Sequence, residues 1–319
     1  MSVELKLHQL ECLVAVADHG SVRKAANYLG RSPTAVSNAL RELELTVCSI
    51  LVERKTEGAV VTDAGAALLA HARLILAQLQ RAYDDAALLA LQNGGMVRMA
   101  VTPWLMQGVL PHVIKEFRAQ RPDVQLNITE HFGIEYPAVR SGQLDLAFGP
   151  RPDSQHDHAL EVTPLYSYSY AVVCRQGHPG ESARTVSDLT GYDWLLSRPI
   201  EHIMPVVRDL IKAQTRKNVC HFHYVPSLQA TLAMIRSTDM LAIMPWPLLE
   251  TPDLRHRFVA LDMSPIMQES TTCLITRRYD PLQGPVLAFL DTFRRVARDL
   301  AASADPEVRR IFSMVESHM

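Results

Sequence analysis

The sequence lacks any apolar run of about 18 residues, the length that a helix needs to cross a bilayer. The first residues, MSVELKLHQLEC, have no basic head followed by an apolar stretch, so they predict no secretory signal. Its five cysteines, at positions 12, 48, 174, 220 and 273, form no CxxC pair and no short framework. Such an odd, scattered set is typical of a reducing compartment. We therefore expect a cytoplasmic protein without a membrane partner.

Signatures of catalysis are also absent, since the chain has no GxSxG, no HExxH and no glycine-rich phosphate loop. The sequence therefore predicts neither catalytic residues nor a cofactor. A formal net charge of −2 provides no overall basic field, so any attraction to nucleic acid must be local or doubled in a dimer. At 319 residues, 48% of them hydrophobic, the chain is long enough for two or three domains with full cores.

Residues 21–44, SVRKAANYLGRSPTAVSNALRELE, have the pattern of two short helices with a tight break. Ser21 can cap the first helix, and Gly30 ends it because glycine enters the left-handed conformation without strain. Ser32 then caps the second helix, and Pro33 occupies its first turn, where a missing N–H costs nothing. The residues of the second helix expected to face inward are Ala35, Ala39, Leu40 and Leu43.

The opposite face of the second helix carries polar side chains spaced three and four residues apart: Thr34, Ser37, Asn38 and Arg41. Hydroxyls, an amide and a guanidinium suit the major groove, where base edges offer donors, acceptors and thymine methyls. Residues 21–41 also contain four cations and no Asp or Glu, which favours a nearby phosphate backbone. An ordinary solvated helical hairpin is the alternative that this pattern leaves open.

The flanks extend the pattern in one register over residues 5–65. The matching motifs are residues 10–17 (LECLVAVA), Gly20-Ser21, Ala25-Ala26 with Leu29, Ser32, Ala35-Val36-Ser37, Leu43-Glu44, Glu53-Arg54 and Thr62-Asp63-Ala64-Gly65. In these motifs the region resembles the winged helix-turn-helix of the LysR-type transcriptional regulators, which implies DNA binding. The predicted DNA contacts are Arg23, Arg31, Ser32, Pro33, Thr34, Ser37, Asn38, Arg41 and, in the wing, Arg54 and Lys55.

Five positions depart from the family pattern. The family commonly has Gln where Pro33 stands, an apolar residue at Arg31, Gly at Cys48, Phe at Val52 and a basic residue near Glu57. The missing Gln and the missing wing cation remove the usual family contacts at those two points.

A long helix is expected from about residue 64 to residue 92, capped by Thr62 or Asp63. Its apolar residues repeat in heptads: Leu68, Ala72, Ile75, Leu79, Ala82, Ala86 and Leu89, with a second row at Leu69, Leu76, Tyr83 and Ala90. Such a seam predicts a partner helix, and the family resemblance implies the same helix of a second subunit, in a dimer within a tetramer. Packing onto the chain's own core is the alternative.

Asn93-Gly94-Gly95 marks a hinge, after which strand-like and helix-like segments alternate. One helix is expected over residues 105–119, and two short strands over 162–165 and 169–174. The alternation indicates a mostly parallel sheet with helices on both faces. The resemblance implies an α/β sensor with two lobes, similar to a periplasmic binding protein, in which the second lobe is inserted into the first.

The predicted fold is therefore an N-terminal winged helix-turn-helix, a long linker helix and a two-lobed α/β effector domain. The expected boundaries are 1–65 for the DNA-binding domain, 66–92 for the linker and 93–302 for the effector domain, followed by a C-terminal tail at 303–319 that forms a surface helix or is loose. Within the effector domain, lobe I comprises about 94–163 and 268–302, and lobe II about 164–267.

Ligands of open α/β sheets bind beyond the carboxyl ends of strands, near helix N-termini. This rule selects seven effector-binding candidates: Thr102, Pro103, Arg151, Ser197, Arg198, Ser227 and Pro245. Hydroxyls and backbone N–H groups at these points suit a carboxylate, which Arg151 or Arg198 can clamp with two hydrogen bonds. We expect a small organic effector, such as an acid or an aromatic compound.

Two rival functions remain at this point. His221 and His223 share one face of a strand-like run, but no third metal ligand follows at a useful spacing, so no metal site is predicted. A redox- or metal-responsive regulator, or an enzyme with an accessory DNA-binding domain, would fit the pattern less well. The expected partners are operator DNA, a small-molecule inducer, further copies of the chain and, if the protein activates transcription, RNA polymerase.

Overall fold

The protein is described by a computed structural model over residues 5–55, 58–90, 94–152, 159–197, 220–261, 263, 269–280, 282 and 284–319. The side chains of residues 54, 55, 81, 84, 85, 87–90 and 186 lie outside this description, as does all of Arg198. The chain divides into two compact units. One comprises residues 1–93 and 137–144, and the other comprises residues 94–136 and 145–319.

The N-terminal unit, called the head here, is a three-helix cluster with a two-stranded wing and a long helix. Its elements are α1 (Leu7–His19), α2 (Val22–Leu29), α3 (Pro33–Val47), β1 (Val52–Lys55), β2 (Gly58–Val61) and α4 (Asp63–Ala90). The wing strands pair antiparallel, from Val52 opposite Val61 to Lys55 opposite Gly58.

The turn between α2 and α3 has the predicted chemistry. Gly30 ends α2 with a left-handed φ of 63°. The Ser32 hydroxyl accepts a hydrogen bond from the Ala35 backbone N–H (3.1 Å), and Pro33 occupies the first turn of α3. Ser21 stands at the N-cap of α2 but makes no side-chain capping bond. The turn between the two helices is thus set by a glycine and a serine only two residues apart.

The prediction of the residues that α3 buries is wrong at one position. Ala35 is exposed, and Val36 is fully buried in its place together with Ala39, Leu40 and Leu43. Positions 36, 39, 40 and 43 follow the i, i+3, i+4, i+7 spacing of one helix face, whereas Ala35 lies about 100° away from Val36. The larger Val36 side chain removes more apolar surface from water than an alanine would.

The start of α4 is tied closely to the wing. The Thr62 hydroxyl accepts a hydrogen bond from the Gly65 N–H (3.0 Å) and donates to the Ile50 carbonyl (2.7 Å). A Cβ atom on Gly65 would lie 2.1 Å from the Leu51 carbonyl oxygen, so only glycine fits at this approach. Thr62 is therefore the cap of the long helix.

The heptad seam of α4 divides between two environments. Ala72 is fully buried in the core of the head, where Leu68, Leu69 and Leu76 pack partly against it. Ile75, one residue before Leu76, is 41% exposed, and further along Tyr83 is 66% exposed. Packing onto the chain's own core thus accounts for some residues of the seam, whereas Ile75 and Tyr83 remain largely uncovered.

The C-terminal unit, called the sensor here, begins with β3 (Met96–Val101), α5 (Pro103–Gly108), α6 (Leu110–Gln120) and β4 (Gln125–Glu130). Then come α7 (Pro137–Arg140), which groups with the head, and β5 (Leu146–Pro150), β6 (Leu160–Arg175), β7 (Trp194–Leu196) and β8 (Phe222–Tyr224). The last elements are α8 (Leu228–Ser237), β9 (Leu241–Pro245), α9 (Trp246–Leu249), β10 (Phe258–Ala260), β11 (Glu269–Arg277), α10 (Gly284–Ala301), α11 (Pro306–Ser313) and β12 (Val315–Ser317).

The sensor strands form one sheet in the order β4-β3-β5-β11-β6-β9-β7-β8. Its two ends are parallel, since β3 pairs parallel with β4 and β5, and β7 pairs parallel with β8 and β9. The middle is antiparallel, where β11 pairs with β5 and β6, and β6 pairs with β9. Each lobe therefore has a parallel core, and antiparallel strands join the two lobes.

A single strand makes the first crossing between the lobes, where two short strands were predicted. Strand β6 pairs with β11 as far as Ser169 and then with β9 from Tyr170 onward. The pairing of β6 thus continues across the crossing, although its register with β11 shifts between Thr272 and Cys273. The alternation of residue types could not reveal this continuity, because Pro164 and the polar residues between positions 167 and 169 interrupt the apolar pattern.

The helix predicted over residues 105–119 is two helices. Val109, with φ −124° and ψ −47°, separates α5 from α6. Pro111 explains the break, because it lacks an N–H and its ring would clash with the carbonyl of residue 107 in a continuous helix.

The C-terminal segment, expected to be a surface helix or a loose tail, contains the helix α11 and a strand that joins the sensor sheet. Strand β12 pairs antiparallel with β6, from Val315 opposite Tyr168 to Ser317 opposite Tyr166. Ile311 of α11 is 5% exposed, and the Phe312 ring meets the edge of Tyr166. The segment is mostly polar, so its sequence did not predict this packing. The two apolar residues that pack on the sensor, Ile311 and Phe312, are adjacent in sequence and do not form a helical apolar stripe.

Candidate nucleic-acid interface and effector site

The outward face of α3 presents the predicted polar side chains to solvent. Thr34, Asn38 and Arg41 are exposed, and Ser37 is half-buried. Arg23 on α2 is exposed as well, and within the part of the head that the structure describes neither Arg23 nor Arg41 has an ion-pair partner. The inner face of α3 is held in the core, so these side chains project from a rigid support.

Arg31 has a different position from the other predicted cations. Its guanidinium lies 2.9 Å from the Glu11 carboxylate and 3.8 Å from the Cys12 sulfur. Both Arg31 and Glu11 are about one-third exposed. Arg31 therefore ties α1 to the turn between α2 and α3, and its charge is partly balanced within the head.

Glu44 has a role that the sequence pattern did not reveal. Its carboxylate accepts hydrogen bonds from the backbone N–H groups of Leu51 (2.9 Å) and Val52 (3.2 Å), which lead into the wing. Glu44 thus fixes the path from α3 to β1, the strand whose backbone carries Arg54 and Lys55. The side chains of these two wing cations lie outside the described residues.

In lobe I of the sensor, three strand ends meet at one edge. The Thr102 N–H donates to the Phe148 carbonyl (2.8 Å), and the His131 N–H donates to the Val101 carbonyl (3.0 Å). Arg151 follows β5 at the same edge and is exposed. The structure therefore brings Thr102 and Arg151 to the carboxyl end of the same group of strands.

The first turn of α5 is part of the core. Thr102 is 4% exposed, Pro103 is buried and Trp104 is fully buried. The Trp104 indole N–H donates to the Thr272 hydroxyl (3.0 Å), and its ring meets the edges of Tyr166 and Tyr168. Trp104 is thus a core residue, and the Thr102 side chain lies below the surface.

In lobe II the remaining described candidates also follow strand ends. Ser197 comes directly after β7 and is half-buried, and Pro245 is the last residue of β9. The Ser227 hydroxyl caps α8 by accepting a hydrogen bond from the Ala230 N–H (3.3 Å). The ends of β7 and β8 are joined by a bond from the Val225 N–H to the Leu196 carbonyl (2.8 Å).

Glu130, the last residue of β4 in lobe I, is an exposed residue near the N-terminus of α8 in lobe II. Partial burial raises the pKa of the Glu130 carboxyl group, and the nearby Leu228 backbone N–H at the start of α8 partly opposes that increase. A carboxylate is the group expected at a helix N-terminus. The chain therefore places its own carboxylate where the strand-end rule predicted an anionic effector.

His131 is a second polar residue at this edge that the sequence reasoning did not select. Its imidazole lies 4.7 Å from the ring of Tyr136, whose hydroxyl donates to the Pro150 carbonyl. Burial lowers the pKa of His131, so the neutral form is favoured. The buried Nε2 atom has no hydrogen-bond partner among the described residues. The strand-end rule could have found His131, because it comes directly after β4.

The two strand histidines meet an acid that precedes them in the chain. His221 Nδ1 lies 3.0 Å from Asp193, and His223 Nε2 lies 3.6 Å from the same carboxylate. Burial alone would raise the pKa of Asp193, but hydrogen bonds from the His221 backbone and from both imidazoles lower it. A search of the described residues finds no group of three side chains arranged to hold a metal ion.

Among the described helices, none combines the length and the apolar character needed to span a membrane. Cys12, Cys174, Cys220 and Cys273 are buried, and Cys48 is exposed; all five are free thiols. Burial raises the pKa of the Cys174 thiol to about 11, which disfavours the reactive thiolate.

Comparison with known proteins identifies both units. Residues 7–66 match the family model for the bacterial regulatory helix-turn-helix protein of the lysR family, and residues 90–298 match the LysR substrate binding domain. The regulator GbpR of Rhizobium radiobacter is 28% identical over 243 residues, which are 74% of this chain and 80% of GbpR.

Solved structures show the same fold. CbnR, a LysR family transcriptional regulator, is 20% identical with a TM-score of 0.59, over 92% of this chain and 99% of CbnR. Full-length CbnR complexed with its target DNA is 20% identical with a TM-score of 0.56, over 91% of this chain and 99% of that one.

Proposed function

Because the chain belongs to the LysR family of DNA-binding transcriptional regulators, we propose that it reads operator DNA with the exposed face of α3. Arg41, Asn38, Ser37 and Thr34 enter the major groove. The residues proposed to contact phosphates or the edge of the groove are Arg23, Arg31, Ser32, Pro33, Arg54 and Lys55. Members of this family are regulators, so the chain is not an enzyme.

One observation carries the proposal. On α3 the apolar side chains at positions 36, 39, 40 and 43 are buried, while Thr34, Asn38 and Arg41 are exposed. A guanidinium without an ion-pair partner in the described head can form two hydrogen bonds to guanine, and an amide can form two to adenine. The same face therefore provides both affinity for phosphate and the means to distinguish bases.

The test is a binding titration on DNA from the protein's own promoter and on random DNA, at several salt concentrations. We expect Asn38→Ala to lose preference for the promoter, by about 1–3 kcal/mol if the amide contacts a base. Arg41→Ala should either lose a similar preference or, if it contacts phosphate, weaken binding to both DNAs and reduce the salt slope by about one.

Lys115→Ala is the matched control, because Lys115 is an exposed cation on α6 of the sensor. It should bind both DNAs as the unaltered protein does. If Asn38→Ala and Arg41→Ala matched this control in affinity, preference and salt slope, the proposed face would not be the DNA-reading surface.

We propose further that a small organic effector binds between the lobes, at the strand ends that carry the seven candidates. The nearness of Glu130 to the α8 N-terminus supports this position, since an effector carboxylate would compete with Glu130 for the Leu228 backbone N–H. Such an effector favours one arrangement of the lobes only to the extent that it binds that arrangement more tightly. Glu130→Gln should therefore change the concentration of inducer that half-saturates the response.

The protein is proposed to act in the cytoplasm as a dimer within a tetramer, with α4 as the dimer contact. Two copies of α3 then read two half-sites of a near-palindrome. If the protein activates transcription, RNA polymerase is its further partner.

A further inference from the structure

A cavity of about 330 Å³ lies in the sensor. Its polar lining comes from Gln107 of α5, Gln229 and Arg236 of α8, and Asp253 and Arg257 between α9 and β10. None of the described effector candidates lines it. The volume is at the lower end of the range for small-molecule sites. The cavity is therefore large enough for a small ligand, and its lining residues differ from the described effector candidates.

The charges of this cavity are not balanced within the described chain. Arg236, Asp253 and Arg257 have no ion-pair or hydrogen-bonding side-chain partner there, although other sensor arginines do. For comparison, Arg175 lies 2.6 Å from Asp239 and Arg277 lies 2.7 Å from Asp280. Two guanidiniums and one carboxylate leave a net charge of +1. A concave surface with this charge favours a ligand that carries one negative charge.

The floor of the cavity is apolar. Leu232 and Leu254 are 8% and 5% exposed, and Phe258 is half-buried. Such a floor can bury a short hydrocarbon segment of a ligand. The amides of Gln107 and Gln229 stand at the polar rim and can donate or accept hydrogen bonds.

We propose that this cavity is a second ligand site of the sensor, specific for a small aliphatic monocarboxylate with a hydroxyl group at the far end. The carboxylate binds between Arg236 and Arg257, and the hydroxyl donates to Asp253. The hydrocarbon chain lies on Leu232, Leu254 and Phe258. This site goes beyond the proposed function, because it adds a ligand that need not be the inducer.

The position of the cavity allows a bound ligand to affect the arrangement of the two lobes. Gln107 belongs to lobe I, whereas α8 and the segment before β10 belong to lobe II. A ligand that contacts both lobes stabilises the arrangement in which these contacts coexist. Binding here therefore shifts the same lobe equilibrium that the strand-end effector uses.

The test compares four probes by ligand-observed NMR and thermal shift on the full-length protein. The probes are 6-hydroxyhexanoate, hexanoate without the hydroxyl, 1,6-hexanediol without the charge, and adipate with a second charge facing Asp253. We expect 6-hydroxyhexanoate to bind with a Kd in about the millimolar range and the other three to bind about tenfold more weakly. Equal binding of 1,6-hexanediol, or no detectable binding of 6-hydroxyhexanoate, would overturn the proposal.

Variants locate the binding. Arg236→Gln and Arg257→Gln should each weaken 6-hydroxyhexanoate by about tenfold. Asp253→Asn should reduce the discrimination between 6-hydroxyhexanoate and adipate. Arg255→Gln is the control, since Arg255 lies in the same segment, pairs with Glu250 at 3.6 Å and does not line the cavity. If Arg255→Gln weakened binding as much as Arg236→Gln does, the acid would be bound elsewhere.

Discussion

At the residue scale, Cys48 has a strained backbone conformation at a position where the family commonly has glycine. It ends α3 with φ 52° and ψ 36°, and it is the one non-glycine residue with positive φ in the described part of the chain. The left-handed conformation costs an L-residue roughly 1–2 kcal/mol, because Cβ approaches the following carbonyl oxygen. The family resemblance had indicated glycine at this position, and the structure supplies the physical reason.

Cys48→Gly should raise the free energy of unfolding of the head by up to about 1 kcal/mol. The gain is smaller than the strain because glycine also increases the entropy of the unfolded chain. Denaturant unfolding of the full-length protein would measure it. Cys48→Ala is the control, since alanine has the same Cβ and should give no gain. An equal gain from both variants would assign the effect to the thiol and not to the backbone.

Glu130 should make stability depend on pH. Its pKa is raised above the ordinary value of 4.5 in the folded protein, so the folded state binds its proton more tightly than the unfolded state does. The resulting stabilisation is complete below about pH 4.5 and is lost as the pH rises through the folded-state pKa.

Unfolding of the protein and of Glu130→Gln should therefore be compared between about pH 4 and pH 7. We expect the unaltered protein to lose stability relative to Glu130→Gln as the pH rises over this interval. Glu161→Gln, at an exposed position of β6, should run parallel to the unaltered protein. A constant difference between Glu130→Gln and the unaltered protein would exclude titration of Glu130 as the cause.

At the element scale, the last two elements, α11 and β12, secure the strand on which both lobes depend. Strand β12 covers β6 at residues 166–168, directly before β6 exchanges β11 for β9. The Ser167 hydroxyl lies 2.8 Å from His318 Nε2, and the His318 N–H donates to the Leu165 carbonyl (2.9 Å). These elements therefore protect backbone groups of β6 that would otherwise face water.

Ile311→Ala should destabilise the sensor by about 2–4 kcal/mol, because the side chain is 5% exposed and its removal leaves a cavity. Thermal or denaturant unfolding would show the loss. Arg309→Ala, at an exposed position of the same helix, should change stability by less than about 0.5 kcal/mol. If both variants were equally stable, α11 would not be docked on the sensor in solution.

At the scale of the whole molecule, the exposed part of the α4 seam predicts association. Ile75 and Tyr83 are large apolar side chains left uncovered by the head, and the heptad repeat continues beyond them. We expect Ile75→Asp to weaken the dimer by at least about tenfold, because it would bury an unpaired charge. Sedimentation over a range of concentrations would measure this change.

Ala70→Asp provides the comparison for the dimer, since it adds the same charge at an exposed position outside the seam. It should leave the dimer intact. Dissociation by both variants, or by neither, would show that this seam is not the contact between subunits.

The local spacing of residues in the sequence determined the turn between α2 and α3 in the head and the face of α3 that is exposed. Gly30, Ser32 and Pro33 act on their immediate neighbours, so the turn and the direction of α3 follow from a few consecutive residues. Thr34, Asn38 and Arg41 were placed outward by the helical period alone. The proposed DNA contacts could therefore be selected from the sequence, although Ala35 was assigned to the wrong face.

Only the tertiary structure decided the features that depend on residues far apart in the chain. The continuity of β6, the pairing of β12 with it, the nearness of Glu130 to α8 and the presence of Arg236 and Arg257 in one cavity all involve distant segments. The free energy of such contacts comes from burial and hydrogen bonding between partners that no local period identifies. The sequence alone therefore determined the elements and their exposed faces, and the packing of the lobes determined which side chains meet.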